Sequence, residues 1–152
     1  MNLTQLLHDH HDAIIADGFT SMERSQLKSY QKAGSEHIHQ RLKALYTLTV
    51  RAVKERNLGP MIAHAETVAS ERYASGFDLW EVQTAFNVLE EAIWMRVIKE
   101  LPPADYAEAL GLVSTVLGAG KDKLAREYVS LASKTKAPAL NLQSLFTGVA
   151  GS

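Results

Sequence analysis

The segment that follows Asp78 carries the clearest helix signal in the sequence. Its apolar side chains recur at spacings of three and four residues, at Leu79, Val82, Phe86, Leu89 and Ile93, which places them on one face of a helix. Asp78 and Glu81 have the spacing of a capping box, in which each side chain accepts a hydrogen bond from the backbone of the other residue. The same periodicity runs through nearly the whole chain, and no segment alternates as a strand would. The sequence therefore predicts an all-α fold.

The predicted helices form one globular domain of about six or seven helices, arranged as a bundle or in a globin-like manner. Glycine and proline residues mark the breaks between them, and Gly18 is one predicted break. We expect helices over residues 2–16, 20–33, 36–57, 60–75, 79–100, 104–133 and 140–148. The domain spans residues 1–133, and residues 134–152 form a linker and an apolar tail with a short helix. The predicted core contains Leu45, Val82, Phe86, Leu89, Ile93, Leu110, Val113, Leu117 and Leu124.

The charge and the composition argue against several classes of function. The 152 residues include 16 Lys and Arg against 17 Asp and Glu, a formal net charge of −1, which gives no electrostatic basis for binding nucleic acid. Cysteine is absent, so disulfides, thiolate catalysis and cysteine-ligated zinc are excluded. The first residues lack the features of a signal peptide, and no apolar run is long enough to span a membrane. We therefore expect a cytoplasmic protein.

Six histidines raise the question of a metal or haem site. A pair of histidines that binds a metal from one helix needs a spacing of four residues. His8, His10 and His11, in the sequence "HDHHD", have no partner at that spacing, so we expect solvated imidazoles and no metal. His64 stands alone in the apolar sequence "MIAHAETVA". It is the remaining candidate for a haem or metal ligand, and a histidine at the edge of the core is the alternative.

No catalytic residue and no cofactor are predicted. The sequence lacks a nucleophile elbow, a phosphate-binding loop and a dinucleotide fingerprint. The predicted helix over 104–133 contains Gly111, Gly118 and Gly120, and each glycine costs on the order of 1 kcal/mol relative to alanine inside a helix. They indicate close contact between helices or a kink, with a gap that admits a ligand as the alternative.

Two surfaces are candidates for protein contacts. Trp80, Asn87 and Trp94 lie seven residues apart, about two helical turns, on a face different from the apolar one. Large aromatic side chains on a second face are typical of an interface, so we expect a homodimer. In the tail, Leu142, Leu145 and Phe146 form an apolar patch on a helix too short to be stable alone. This patch must dock on the domain, on another protomer or on an unknown protein partner.

The stretch "RYASGFDLWEVQTAFNVLEEAIWMRV", residues 72–97, resembles the N-terminal sensor-like domain of RsbT co-antagonist proteins. The resemblance spans about residues 3–133 and implies an all-α regulatory module, related to globins but without haem and often dimeric. Such a module detects a signal and passes it to an output domain. Family members often continue into a STAS domain with phosphorylatable Ser or Thr, whereas this sequence ends soon after the sensor-like part. The kinase-antagonist activity is therefore not carried over.

These observations predict a non-enzymatic bacterial signalling module that acts through protein–protein interaction as a stand-alone sensor-like domain. The alternative is a helical sensor or carrier that binds haem, a metal or a small ligand. Within the motif we expect a structural corner formed by Arg72, Gly76, Asp78 and Glu81. In this corner Gly76 relieves backbone strain in the turn, and Asp78 caps the next helix.

Overall fold

The computed structural model describes residues 1–136, which form seven α-helices and one 3-10 turn. The helices are α1 (Leu3–Asp9), α2 (His11–Ser25), α3 (Lys28–Ala33), α4 (Ser35–Glu55), α5 (Gly59–Ala74), α6 (Leu79–Glu100) and α7 (Tyr106–Lys136). The 3-10 turn, Pro103–Asp105, precedes α7. This part of the chain contains no strand, and the predicted all-α fold is confirmed.

The core forms around α6, the helix with the clearest signal in the sequence. α6 packs against both α2 and α7, and α7 also packs along α5. α4 contacts α2, α5 and α7 and so connects the α2–α6 pair with the α5–α7 pair. Every residue predicted for the core is buried except Leu110, which is half-buried and packs against the core. The three- and four-residue periodicity therefore identified the buried faces of α6 and α7.

The predicted helix boundaries are wrong near the N-terminus. The chain does not break at Gly18 but at His10 and again at Gln26, so Gly18 lies inside α2. Gly18 is buried, and a Cβ atom added to it would lie 3.7 Å from the side chain of Leu42 in α4. The small residue therefore serves the packing of α2 on α4 and not a turn. Gln26 ends α2 with a φ of 50°, a left-handed conformation that nothing in the sequence marks.

The close contact predicted for the glycines of α7 occurs at Gly120. A Cβ atom added there would lie 2.7 Å from the Phe86 ring and 3.0 Å from the Met61 sulfur. Gly111 and Gly118 have no neighbours that a Cβ atom would meet within 4 Å. Gly120 thus lets α7 approach α5 and α6.

The last helix continues beyond the predicted end of the domain. α7 reaches Lys136, three residues past position 133. Leu142, Leu145 and Phe146, assigned to the apolar tail, lie outside the described residues. Among the helices of residues 1–136, none has the combination of length and apolar character that crossing a membrane requires.

Candidate functional site

The chain turns sharply between α5 and α6, inside the segment that carries the family resemblance. Gly76 has a φ of 83°, a left-handed conformation that glycine adopts without strain. The N–H of Phe77 donates to the Arg72 carbonyl at 2.9 Å, and the N–H of Gly76 donates to the Tyr73 carbonyl at 3.1 Å. These two bonds form a Schellman motif, which satisfies carbonyl groups at the end of α5.

Glu81 caps two helices at once. The capping box predicted from Asp78 and Glu81 is present, and one carboxylate oxygen of Glu81 accepts from the N–H of Asp78 at 3.0 Å. The other oxygen accepts from the N–H of Ser29, in the first turn of α3, at 3.0 Å. The N-cap residue of α3, Leu27, makes no side-chain cap. Burial acts to raise the pKa of Glu81, but hydrogen bonds from Ser29 and Asp78 outweigh burial and lower the pKa.

Arg72 is a buried cation at the centre of this corner. The residue is 3% exposed, and its guanidinium carbon lies 5.3 Å from the centre of the Phe77 ring, a cation–π contact. The carboxylate of Glu71 lies 3.8 Å from the guanidinium. α7 holds Phe77 in place, because the Tyr128 hydroxyl donates to the Phe77 carbonyl at 3.0 Å. The turn, the cation and the caps therefore join α3, α5, α6 and α7.

An open cleft of about 880 Å³, which we call the corner cleft, lies beside these residues. α3 contributes Lys28 and Lys32, α4 contributes His37 and Arg41, and the end of α5 and the start of α6 complete the lining. Burial lowers the pKa of His37, and the neighbouring cations Arg72 and Arg41 lower it further. Both effects favour the neutral form of the His37 imidazole.

The tryptophans predicted to form a second face of α6 are exposed. Trp80 is 58% exposed and Trp94 is 38% exposed. Asn87 lies between them and accepts a hydrogen bond from the Lys121 ammonium at 2.8 Å. Met95 and Ile98, near the end of the same helix, are also exposed. The structure thus leaves large apolar side chains of α6 uncovered within the described chain.

The histidines are spread along α1, α2, α4, α5 and the junction between α1 and α2. No group of three or more His, Asp or Glu side chains within residues 1–136 could hold a metal ion. The His11 ring packs edge-on against Tyr46 with centres 5.0 Å apart, and the His39 ring stacks on Phe19 at 4.0 Å. The His8 side chain is 87% exposed, as expected of a solvated imidazole, whereas the His11 ring is 44% exposed and also packs against Tyr46.

His64, the haem or metal candidate, is half-buried on α5. Burial lowers its pKa, and the cations Arg41 and Arg72 lower it further. This is the position of a histidine at the edge of the core, near the same two arginines that line the corner cleft.

The sequence alone does not indicate that Ser29, His37 and Arg41 belong to the corner. They belong to α3 and α4, which reach the corner through packing, so no spacing in the sequence connects them with it. Arg72 lies within the recognised motif, but an arginine in the last turn of a helix usually indicates an exposed side chain that complements the helix dipole. Its burial is a property of the tertiary structure.

A comparison of sequences identifies the family to which the chain belongs. Residues 12–133 match the family model described as the RsbT co-antagonist protein rsbRD N-terminal domain. Neither a curated protein nor a solved structure matches the chain. The matched range begins in α2, ends near the end of α7 and includes the whole corner and all of α6. The chain therefore belongs to the family of RsbT co-antagonist protein RsbRD N-terminal domains.

Proposed function

We propose that this stress-signalling regulatory domain acts without catalysis, through protein–protein contacts, and that it associates with a second copy of itself. The family assignment supports the regulatory role. The observation that carries the proposal is a line of side chains along α6, none of them buried, which we call the α6 row. The row consists of Trp80, Thr84, Asn87, Glu91, Trp94 and Ile98.

The α6 row has the spacing of a helix–helix seam. Its positions alternate by four and three residues, as do the facing positions of paired helices. Two of its six side chains are tryptophans, which contribute strongly to binding energy when they are buried in interfaces. Large exposed apolar side chains that lie together on a soluble protein indicate an interaction surface.

The row is complementary to itself when two copies run antiparallel. In a pairing centred on Leu89, Trp80 meets Ile98 of the second copy, because the two positions are equally distant from position 89. In the same register the Asn87 amide meets the Glu91 carboxylate, so the two carboxylates are not opposite each other. A two-fold axis repeats each of these contacts. The seam therefore favours a second copy of the chain over an unrelated helix.

Light scattering of the purified protein tests the association. At about 50 µM, well above a micromolar dissociation constant, we expect a mass of twice the 16.7 kDa chain. Trp94→Ala should weaken the dimer by at least about tenfold, because tryptophans that are interface hot spots cost about 2 kcal/mol or more when truncated. Ile62→Ala is the matched control, since Ile62 is 37% exposed on α5. A monomeric wild type, or equal effects of the two variants, would contradict the proposal.

Single cysteines test the antiparallel register, because the chain has no cysteine of its own. Two copies of position 87 would be offset by only about 6 Å along the helices, whereas two copies of position 98 would be offset by about 27 Å. A short thiol cross-linker should therefore join Asn87→Cys into dimers and leave Ile98→Cys monomeric. A parallel pairing would cross-link both variants equally and would contradict the register.

A further inference from the structure

The corner cleft contains two buried polar atoms without a hydrogen-bond partner. They are Nε of Arg72 and Nε2 of His37, and both residues line the cleft. Among residues 1–134, whose side-chain burial the structure describes, no other buried side-chain nitrogen or oxygen is in this state. An unpaired buried donor is costly, and more so when it is charged. Nε of Arg72 always carries a proton, and Nε2 of His37 carries one in one of the two neutral tautomers, so the two atoms together can serve one acceptor.

The cations of the cleft are only weakly neutralised. Lys28 and Lys32 make no salt bridge within the described part of the chain. Arg41 and Arg72 share one carboxylate, that of Glu71, at 3.6 Å and 3.8 Å. The Glu71 side chain is 49% exposed, so water screens much of its charge.

The other two carboxylates at the cleft are already occupied. Asp78 takes part in the capping box of α6, and Glu81 accepts from the N–H groups of Ser29 and Asp78. The positive charge of Lys28 helps to lower the pKa of Glu81, but Lys28 forms no salt bridge with it. Four cations therefore line the cleft, while two of its three carboxylates serve as helix caps.

We propose that the corner cleft binds a small molecule that carries a carboxylate or phosphate group, held by Arg72 and His37. The planar guanidinium is suited to both kinds of oxyanion because its donors can form two parallel hydrogen bonds. The neutral imidazole can donate from Nε2 while its other ring nitrogen remains unprotonated. The remaining negative charge of the ligand is attracted by Lys28, Lys32 and Arg41.

The size and the position of the cleft suit a signalling ligand. Its volume of about 880 Å³ lies within the range of roughly 300–1,000 Å³ for small-molecule sites. Trp80 also lines the cleft, and the same side chain begins the α6 row. A bound molecule would therefore lie next to the proposed association surface, although binding itself does not require a dimer.

Titration of ¹⁵N-labelled protein with inorganic phosphate, and separately with malonate, tests the site at its central atom. We expect a saturable shift of the Arg72 Nε–H resonance, whose disappearance in Arg72→Lys assigns it, and no shift with chloride at equal ionic strength. A response to phosphate alone or to malonate alone identifies the class of oxyanion. Absence of a saturable shift with both probes up to tens of millimolar would overturn the proposal, and the association measured by light scattering would be unaffected.

Substitutions at exposed and partly exposed residues of the cleft test the site without changing a buried side chain. Lys32→Ala should weaken binding of the active probe about threefold, and Arg41→Gln about fivefold. Lys43→Ala is the control, because Lys43 is an exposed lysine on α4 away from the residues that line the cleft. Equal weakening by Lys32→Ala and Lys43→Ala would show a general effect of charge and would contradict a defined site. If Arg72→Lys fails to fold, these variants decide the outcome.

Discussion

At the scale of the residue, Glu81 joins two helices through a single carboxylate. The N–H groups at a helix N-terminus lack partners within the helix, and they favour a negative charge. Glu81 accepts from such groups at the starts of both α3 and α6. Each carboxylate oxygen serves one helix, so the side chain fixes the angle between elements that are 52 residues apart in sequence.

Glu81→Gln should destabilise the domain by about 1–2 kcal/mol at pH 7, because the amide loses the charge and one of the two acceptors. The folded-state pKa of Glu81 lies below its ordinary value of 4.5. The carboxylate therefore stabilises the fold above the unfolded-state pKa, and this contribution is lost as the pH falls through the folded-state pKa. Urea unfolding should show a difference between wild type and variant that shrinks below about pH 4.5.

Glu66→Gln is the control for this prediction, because Glu66 is 58% exposed and lies 3.9 Å from Lys123. Its effect should stay below about 0.5 kcal/mol. If the loss caused by Glu81→Gln were the same at pH 3 as at pH 7, the charge of Glu81 would not be its cause.

Part of this corner can be predicted from the sequence, for a physical reason. The capping box joins residues three apart, so its spacing is visible in the sequence. The contact of Glu81 with Ser29 depends on the packing of α3 against α6, and no local pattern predicts it. The unpaired atoms of Arg72 and His37 depend in the same way on tertiary structure.

At the scale of the element, α6 and α2 show when helix boundaries can be predicted. Residues 79–100 were predicted as a helix and form one, because a capping box precedes them and two prolines follow. In α2, Gly18 suggested a break but packs on Leu42. The true break at His10 has neither glycine nor proline. Tertiary packing therefore overrode the local signal in α2 and agreed with it in α6.

Gly120 and Gly111 of α7 should respond oppositely to alanine. Gly120→Ala should destabilise the domain by about 1–2 kcal/mol, because the new methyl group would overlap the Phe86 ring and Met61, both buried. Gly111 is exposed with open space around it, so Gly111→Ala should stabilise the domain by about 0.5–1 kcal/mol. Thermal unfolding measures both changes. Stabilisation by both variants would mean that α7 is not held closely at Gly120.

At the scale of the whole molecule, two surfaces meet at Trp80. The corner cleft lies on one side of it, and the α6 row extends from it along the helix. The sequence predicted a second face on α6 because the tryptophans recur at helical spacing. It could not predict the cleft, because α3 and α4 form part of its wall and α5 and α6 form the rest, and the lining residues of these two pairs are far apart in the chain. A signal bound in the cleft is thus close to the surface through which we propose the domain associates.

Tryptophan fluorescence tests the central claim most directly, because the chain has two tryptophans and both lie in the α6 row. Acrylamide quenching should be measured from about 0.5 to about 50 µM protein, a range that spans a micromolar dissociation constant. If the α6 row is the association surface, quenching should fall and the emission should shift to the blue as concentration rises, and Asn87→Arg should abolish both changes. Quenching that is equally strong at every concentration, in a protein that light scattering shows to dimerise, would place the interface elsewhere and contradict the account.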